Sequence, residues 1–146
     1  MRYSPRKIPL QSAGREVASS TDRSTWSSFA EASTSTRGVG MGFVLDGDGI
    51  VCVDLDHCLT GGQLAPWAER IVAAAGATYI EVSPSGTGVH IWGRAELVHG
   101  RVVHLPGGGK AEVYPNGRYI TVTSRPFGDT PSVLGDLSGL VGELIA

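Results

Sequence analysis

The chain is poor in cysteine and aromatic residues, carries almost no net charge, and has no long apolar run. Its two cysteines, Cys52 and Cys58, fall on one predicted strand and its exit. That spacing fits neither a disulfide framework nor a four-ligand zinc pattern, so both are expected reduced, with Cys52 in the core. No segment approaches the ~18 consecutive apolar residues of a membrane span. The opening "MRYSPRKIPLQSAGRE" has no apolar stretch that could act as a signal sequence, so the expectation is a cytoplasmic protein with no membrane contact. Aromatics make up 7% of the residues, and no stacking strip is visible; Trp92, Tyr114 and Tyr119 could serve one, but the core is their expected home. A net charge of −2 does not by itself mark a nucleic-acid binder. It hides an asymmetry, however: residues 1–40 hold six Arg or Lys against three Asp or Glu, leaving six against eleven for the rest. A basic segment beside an acidic pocket suits a polyanion held near bound cations, and suits a solvated arm equally.

What is present is enough for one globular domain, 1–146, with 1–40 as a basic segment packed on the core. Within that segment "STDRSTWSSFAEAS" predicts a helix capped by Ser24 or Asp22, with Trp26, Phe29 and Ala30 on one face. "MGFVLDGDGIVCVDLD" predicts two strands joined as a hairpin through an Asp-Gly turn. "GQLAPWAERIVAAAG" places Leu64, Trp67, Ile71 and Ala74 at helical spacing, with Gly76 as the stop. "ATYIEVSPSGTGVHIWGR" reads as strand, Ser/Gly turn, strand, and "AEVYPNGRYITVTS" as a second hairpin at Asn116-Gly117. The tail predicts a helix through Val133, Leu137, Leu140, Val141 and Leu144. Strands with adjacent hairpins and crossing helices argue an α+β domain, a mixed and mainly antiparallel sheet backed by helices.

Three clusters carry chemistry. In a strand, residues i and i+2 share a face, so Asp54 and Asp56 project together while Val53 and Leu55 face away. Two carboxylates about 7 Å apart at their backbones repel and lose solvation unless a cation sits between them. A hard divalent ion, Mg²⁺ or Mn²⁺, answers that need with oxygen ligands; a pair of solvated aspartates starting a turn is the plain alternative. In "SPSGTGVHIWG", Ser83, Ser85 and Thr87 surround Gly86 and Gly88, with His90 in the following strand. Glycines can expose backbone N–H groups, hydroxyls add donors, and an imidazole can donate to a phosphate oxygen, although a ligand-free hairpin turn has the same composition. Third, Glu112 lies among apolar strand residues near Lys110 and Arg118, able either to complete a three-carboxylate site or to pair with those cations at the surface. His99 and His104 are expected in a solvated loop, and His57 at the strand exit.

Taken in order, "VDLDHC", "SPSGTGVHIWG" and "AEVYPNGRYITVT" resemble the catalytic core of the phage and plasmid primase-polymerases of the archaeo-eukaryotic primase superfamily. That family shows an apolar strand ending in Asp-x-Asp, a Ser/Gly turn leading to a strand His, and an acidic residue on a later strand. The resemblance runs from about Pro5 to Ser124, including "PRKIPLQSAG" and "STDRSTWSSF". It implies an RRM-like sheet with an N-terminal α/β segment, and nucleotidyl transfer from NTP or dNTP onto a nucleic-acid strand on a single-stranded template or primer-template. By the same resemblance, Asp54, Asp56 and Glu112 hold two divalent ions, Mg²⁺ or Mn²⁺. His90, Ser85 and Gly86 grip the triphosphate within the Ser85, Gly86, Thr87, Gly88 turn, and Lys110 and Arg118 add phosphate contacts. Such proteins act in the cytoplasm of a bacterial or phage-infected cell. Family members often continue into a helical primer-binding region and a helicase, so those modules are expected in trans or in a longer parent chain.

Two other function classes remain open. "VDLDHCLTGG" also resembles the haloacid-dehalogenase-like phosphatases, where Asp54 would attack phosphorus and Asp56 act as acid and base; no later Asp pair completes that pattern. The third possibility is a non-catalytic primase-like adaptor binding nucleotide or nucleic acid.

Overall fold

The computed structural model describes all residues, Met1 to Ala146. The apolar alternation in "IVCVDL" produces the central strand β4 (Ile50–Leu55) of a six-stranded sheet; Val51, Val53 and Leu55 are fully buried on one face. To set out the rest of the chain in order, β1 is Arg2–Tyr3, β2 Pro9–Leu10, α1 Phe29–Thr34 and β3 Gly40–Asp46. After β4 come β5 (Leu59–Thr60), β6 (Gln63–Leu64), α2 (Pro66–Ala75), β7 (Ile80–Val82) and β8 (Val89–Arg94). β9 (Arg101–His104), β10 (Lys110–Tyr114), β11 (Asn116–Val122), β12 (Gly135–Asp136) and α3 (Ser138–Ile145) complete it. The large sheet runs β12-β8-β4-β10-β9, with β7 also on β8; a second sheet of four strands runs β11-β3-β1-β2, and β5 and β6 form a small hairpin. All pairings are antiparallel except β12 with β8. The class is therefore α+β with mainly antiparallel sheets, as the strand and helix signals indicate.

The two helices cover one face of the large sheet. α2 opens with Pro66, whose missing N–H is no loss in the first turn, and ends at Gly76 with φ 68. Its buried stripe is Ala68, Ile71 and Ala75. With Leu140 and Val141 of α3, this stripe packs on Val51, Val53, Leu55, Val89, Ile91, Ala111 and Val113. Truncating a residue such as Ile91, which is fully buried, costs about 2–5 kcal/mol. α3 starts later than the sequence pattern predicts: β12 pairs with β8 first, leaving Val133 outside the helix and exposed.

Three expectations fail for identifiable reasons. β3 and β4 do not form a hairpin, nor do β10 and β11. β3 pairs with β11 and β4 with β10, so the chain makes one antiparallel ribbon that bends from the second sheet into the first. The Asp46-to-Gly49 and Pro115-to-Gly117 segments form the bend, tied where the Gly47 N–H donates to the Pro115 carbonyl at 3.0 Å. Their glycines supply left-handed backbone for a kink and for a register shift between Asn116 and Arg118. The third failure is the single N-terminal helix. Asp22 caps only a 3₁₀ turn at Arg23–Thr25, Trp26 is extended, and Ser28 restarts the helix in a capping box with Glu31. Trp26 and Phe29 therefore do not share a helical face: the Trp26 indole donates to the Ser19 carbonyl at 2.6 Å, and Phe29 is 77% exposed.

No helix is long and apolar enough to cross a membrane.

Candidate active site

The second sheet packs on the large sheet's other face. Leu45 and Ile120 pack on Cys52 and Trp92, and Phe43 meets Trp92 edge-to-face at 5.7 Å. Two residues along each strand, the apolar pair Cys52 and Trp92 gives way to polar residues, Asp54 and His90. Asp54 lies directly opposite His90 of β8 and directly opposite Glu112 of β10, and His90 lies opposite Glu81 of β7. Directly opposed residues share a face, with Cβ atoms about 5 Å apart, so one row reads Glu112, Asp54, His90, Glu81. Asp56 follows the last residue of β4, and its charge acts on Asp54 and Lys110.

Each member is held differently. Glu112 receives Lys110 Nζ at 2.7 Å and the Tyr114 hydroxyl at 2.9 Å, and the Lys110 contact comes first in holding its carboxyl below the usual range. Arg118 lies over the Tyr114 ring at 4.7 Å. Asp54 has no such support: its Oδ1 is buried with no hydrogen-bond partner, and His90 Nε2 stands 3.7 Å away, beyond bonding reach. Burial pushes its carboxyl up to about 6; the His90 and Lys7 charges oppose this, and the Asp56 and Glu112 charges add to it. An orphaned carboxylate oxygen beside two further carboxylates is a donor set suited to a hard divalent cation. As they stand, no three His, Cys, Asp or Glu side chains converge enough to hold an ion, and Glu112 is engaged by Lys110 and Tyr114.

The Ser/Gly turn between β7 and β8 closes against the end of β4. A Cβ on Gly88 would sit 2.5 Å from the Leu55 carbonyl oxygen, so only glycine permits this approach; Gly86, at φ 79, makes the turn. The exposed amides that the motif suggests are already used. Gly86 N–H donates to the Ser83 carbonyl, Thr87 N–H to Ser85 Oγ, and Gly88 N–H to Ser83 Oγ. What the turn presents is a chain of hydroxyls, Ser83 to Ser85 at 3.1 Å and Ser85 to Thr87 at 2.9 Å, with Ser85 and Thr87 exposed. His104 is not in a loop but at the end of edge strand β9, opposite Lys110; His99 is in an exposed loop, and His57 takes a left-handed φ of 52 beside Asp56.

Sequence reasoning missed Glu81, Lys7 and Arg125. Glu81 is fully buried, with His90 Nδ1 at 3.1 Å. Its signal was available: once the Ser/Gly turn is centred, counting back along the hairpin puts it opposite His90. Lys7 and Arg125 line a polar recess with Arg2, Pro84 and Ser124, and the Arg125 guanidinium donates to the Ser83 carbonyl. Only tertiary folding brings these cations to the site, and no local pattern marks them.

With the geometry in view, the comparison with known proteins is informative. Over 134 residues the chain is 34% identical to the protein named DNA Primase-polymerase of Nitratiruptor phage NrS-1, a match covering 83% of this chain. The chain is a relative of a phage primase-polymerase. It spans only 18% of the length of that phage protein. No family model matches the chain. The similarity thus extends over most of the chain.

Proposed function

We propose that this chain is a nucleotidyl-transfer domain of a phage or related mobile element, adding NTP or dNTP to a nucleic-acid strand held on a template. The observation that carries the reading is the cross-strand row of Glu112, Asp54 and His90, with Asp54 Oδ1 buried and unpartnered. In this reading Asp54, Asp56 and Glu112 hold Mg²⁺ or Mn²⁺. Bound there, such ions supply Lewis acidity for the attacking 3′-hydroxyl and charge neutralisation for the departing pyrophosphate. The chain's own groups bind and orient. His90 donates from Nε2 to the triphosphate; the Ser85 and Thr87 hydroxyls meet its oxygens beside Gly86 and Gly88; Lys110, Arg118, Lys7 and Arg125 balance its charge. For Glu112 to reach an ion it leaves Lys110, which then faces the phosphates. Residues 1–146 act as one domain, and primer-binding or helicase functions come from elsewhere in a longer protein or from a partner.

The test is extension of a labelled primer on a template with dNTP or NTP in Mg²⁺ or Mn²⁺, comparing the wild type with Asp56→Ala and His90→Ala. Extension that requires the divalent ion, is lost in Asp56→Ala and is reduced to a low but measurable rate in His90→Ala is the expected result; extension undiminished by Asp56→Ala refutes the assignment. One observation favours a second reading, a nucleotide-binding adaptor without catalysis: Glu112 is already satisfied by Lys110 and Tyr114. It predicts ion-dependent nucleotide binding with no extension. The phosphatase alternative gains nothing, since the charges acting most strongly on Asp54 include no aspartate besides Asp56.

A further inference from the structure

Glu81 is a carboxylate with no exposed surface, and such a group is destabilising unless every lone pair is used. Here they are used. Oε1 accepts from the Tyr79 hydroxyl at 3.1 Å and the Ser124 N–H at 3.2 Å; Oε2 accepts from the Thr123 N–H at 3.1 Å and faces His90 Nδ1 at 3.1 Å. Burial would raise its pKa, but the His90 contact and the two backbone N–H groups outweigh it, and the net shift is downward. Glu81 is thus an acceptor at all four contacts, so the proton between it and His90 belongs on Nδ1. The other ring nitrogen, Nε2, then faces Asp54, 3.7 Å from its Oδ1. The carboxylate also ties down Thr123 and Ser124; Ser124 has a left-handed φ of 54, and the next residue, Arg125, reaches the Ser/Gly turn.

A purely structural need would be met more cheaply. The next row on the same face, Cys52 and Trp92, is apolar and packs without any buried charge.

We propose that Glu81 is a positioning residue for nucleotidyl transfer: by accepting Nδ1–H it fixes the orientation of the His90 ring, so that a ring carrying a second proton in the nucleotide complex donates Nε2–H to the triphosphate while Nδ1–H stays on Glu81. The proposal rests on the nucleotidyl-transfer reading above, and outer partners that orient a histidine commonly contribute 10–100-fold to the site they serve.

Two measurements test it. In ¹⁵N-resolved NMR of the nucleotide-free wild type, His90 should carry its proton on Nδ1 when neutral; a neutral ring protonated on Nε2 overturns the proposal. In primer extension, Glu81→Gln keeps the shape but replaces an acceptor with a donor, and kcat/KM should fall about 10–100-fold. In a His90→Ala background the same change should add less than threefold. Glu81→Gln activity within threefold of wild type, or a loss that adds in full to that of His90→Ala, overturns it. Should Glu81→Gln not fold, the wild-type NMR result decides alone. If the wild type extends no primer, the polymerase reading fails, and the NMR result still judges the positioning of the ring.

Discussion

Asp54→Asn should stabilise the protein in the absence of divalent ions while removing its response to them. The Asp54 carboxyl rises from the ordinary 3.8 to about 6 in the folded protein, through burial first, with Asp56 and Glu112 adding to the shift and His90 and Lys7 opposing it. Because the folded-state pKa lies above the unfolded one, the protonated form is the one folding favours. The stabilising contribution is therefore complete below about pH 4 and is lost as pH rises through about 6. At pH 8 the penalty is about 3 kcal/mol, two pKa units at about 1.4 kcal/mol each. Asparagine removes the charge at nearly constant shape, but its buried amide still lacks a partner, which returns about 1–2 kcal/mol of the gain. The net expectation is about 1–2 kcal/mol, or roughly 3–6 °C in Tm for a chain of this size. Thermal melts in EDTA at pH 8 and pH 4 measure it, with the advantage of the variant lost and its sign reversed at the lower pH, where only the cost of the unpaired amide remains. Mn²⁺ at 100 times its Kd should stabilise the wild type by about 2.7 kcal/mol and leave the variant unmoved. A variant less stable than wild type in EDTA at pH 8, or raised equally by Mn²⁺, refutes the idea that Asp54 is held in tension for a cation.

Gly88→Ala should destabilise by about 2–3 kcal/mol, because the new Cβ lands 2.5 Å from a backbone oxygen of β4 and cannot be relieved by side-chain motion; an unchanged Tm counts against the packing of turn on strand. Trp92→Ala should cost about 3–5 kcal/mol, since Trp92 joins the two sheets with Leu45 and Ile120, and chemical denaturation reads the loss. Arg118→Ala removes the cation over Tyr114 at an exposed position, so melts should show a change of about 1 kcal/mol or less while nucleotide affinity falls several-fold. Equal affinity removes Arg118 from the phosphate contacts.

Much of the site follows from period-two alternation. Once "IVCVDL" is a strand buried on Val51, Val53 and Leu55, Asp54 must face the other way, and the Ser/Gly hairpin then fixes His90 as the face-mate of Glu81. Which strands lie beside β4 is not so legible. Asp-Gly and Asn-Gly report left-handed backbone, and that geometry serves a tight hairpin or a bend in a ribbon equally well. Only the partner strand distinguishes the two, and here the partners of β3 and β4 lie far along the chain, in β11 and β10. The same long-range folding brings Lys7 of the basic leader near enough for its charge to act on Asp54. The apolar spacing gives no warning of the break at Trp26, because Asp22 and Ser28 are both side-chain caps and the spacing alone does not show that each opens its own turn.

The places where local preference and fold disagree are concentrated, and this ties the stability argument to the functional one. Lys7, His57 and Ser124 are the non-glycine residues with left-handed φ, each at a conformational cost of about 1–2 kcal/mol. Lys7 acts on Asp54, His57 adjoins Asp56, and Ser124 donates to Glu81. They thus surround the one row of the sheet that also contains a fully buried carboxylate and an unpartnered carboxylate oxygen. A core optimised for folding alone would place apolar residues at Asp54 and Glu81 and glycine at the three strained positions. Strain and buried charge that converge on one end of one sheet face are accounted for when that end is built to hold a cation and an anionic substrate together. Replacing Lys7, His57 and Ser124 by glycine one at a time should therefore raise Tm. His57→Gly should do so with the least effect on extension, because the His57 side chain makes none of the contacts assigned to the triphosphate. A fall in Tm for all three would show that these conformations are supported by side-chain contacts worth more than the strain they carry.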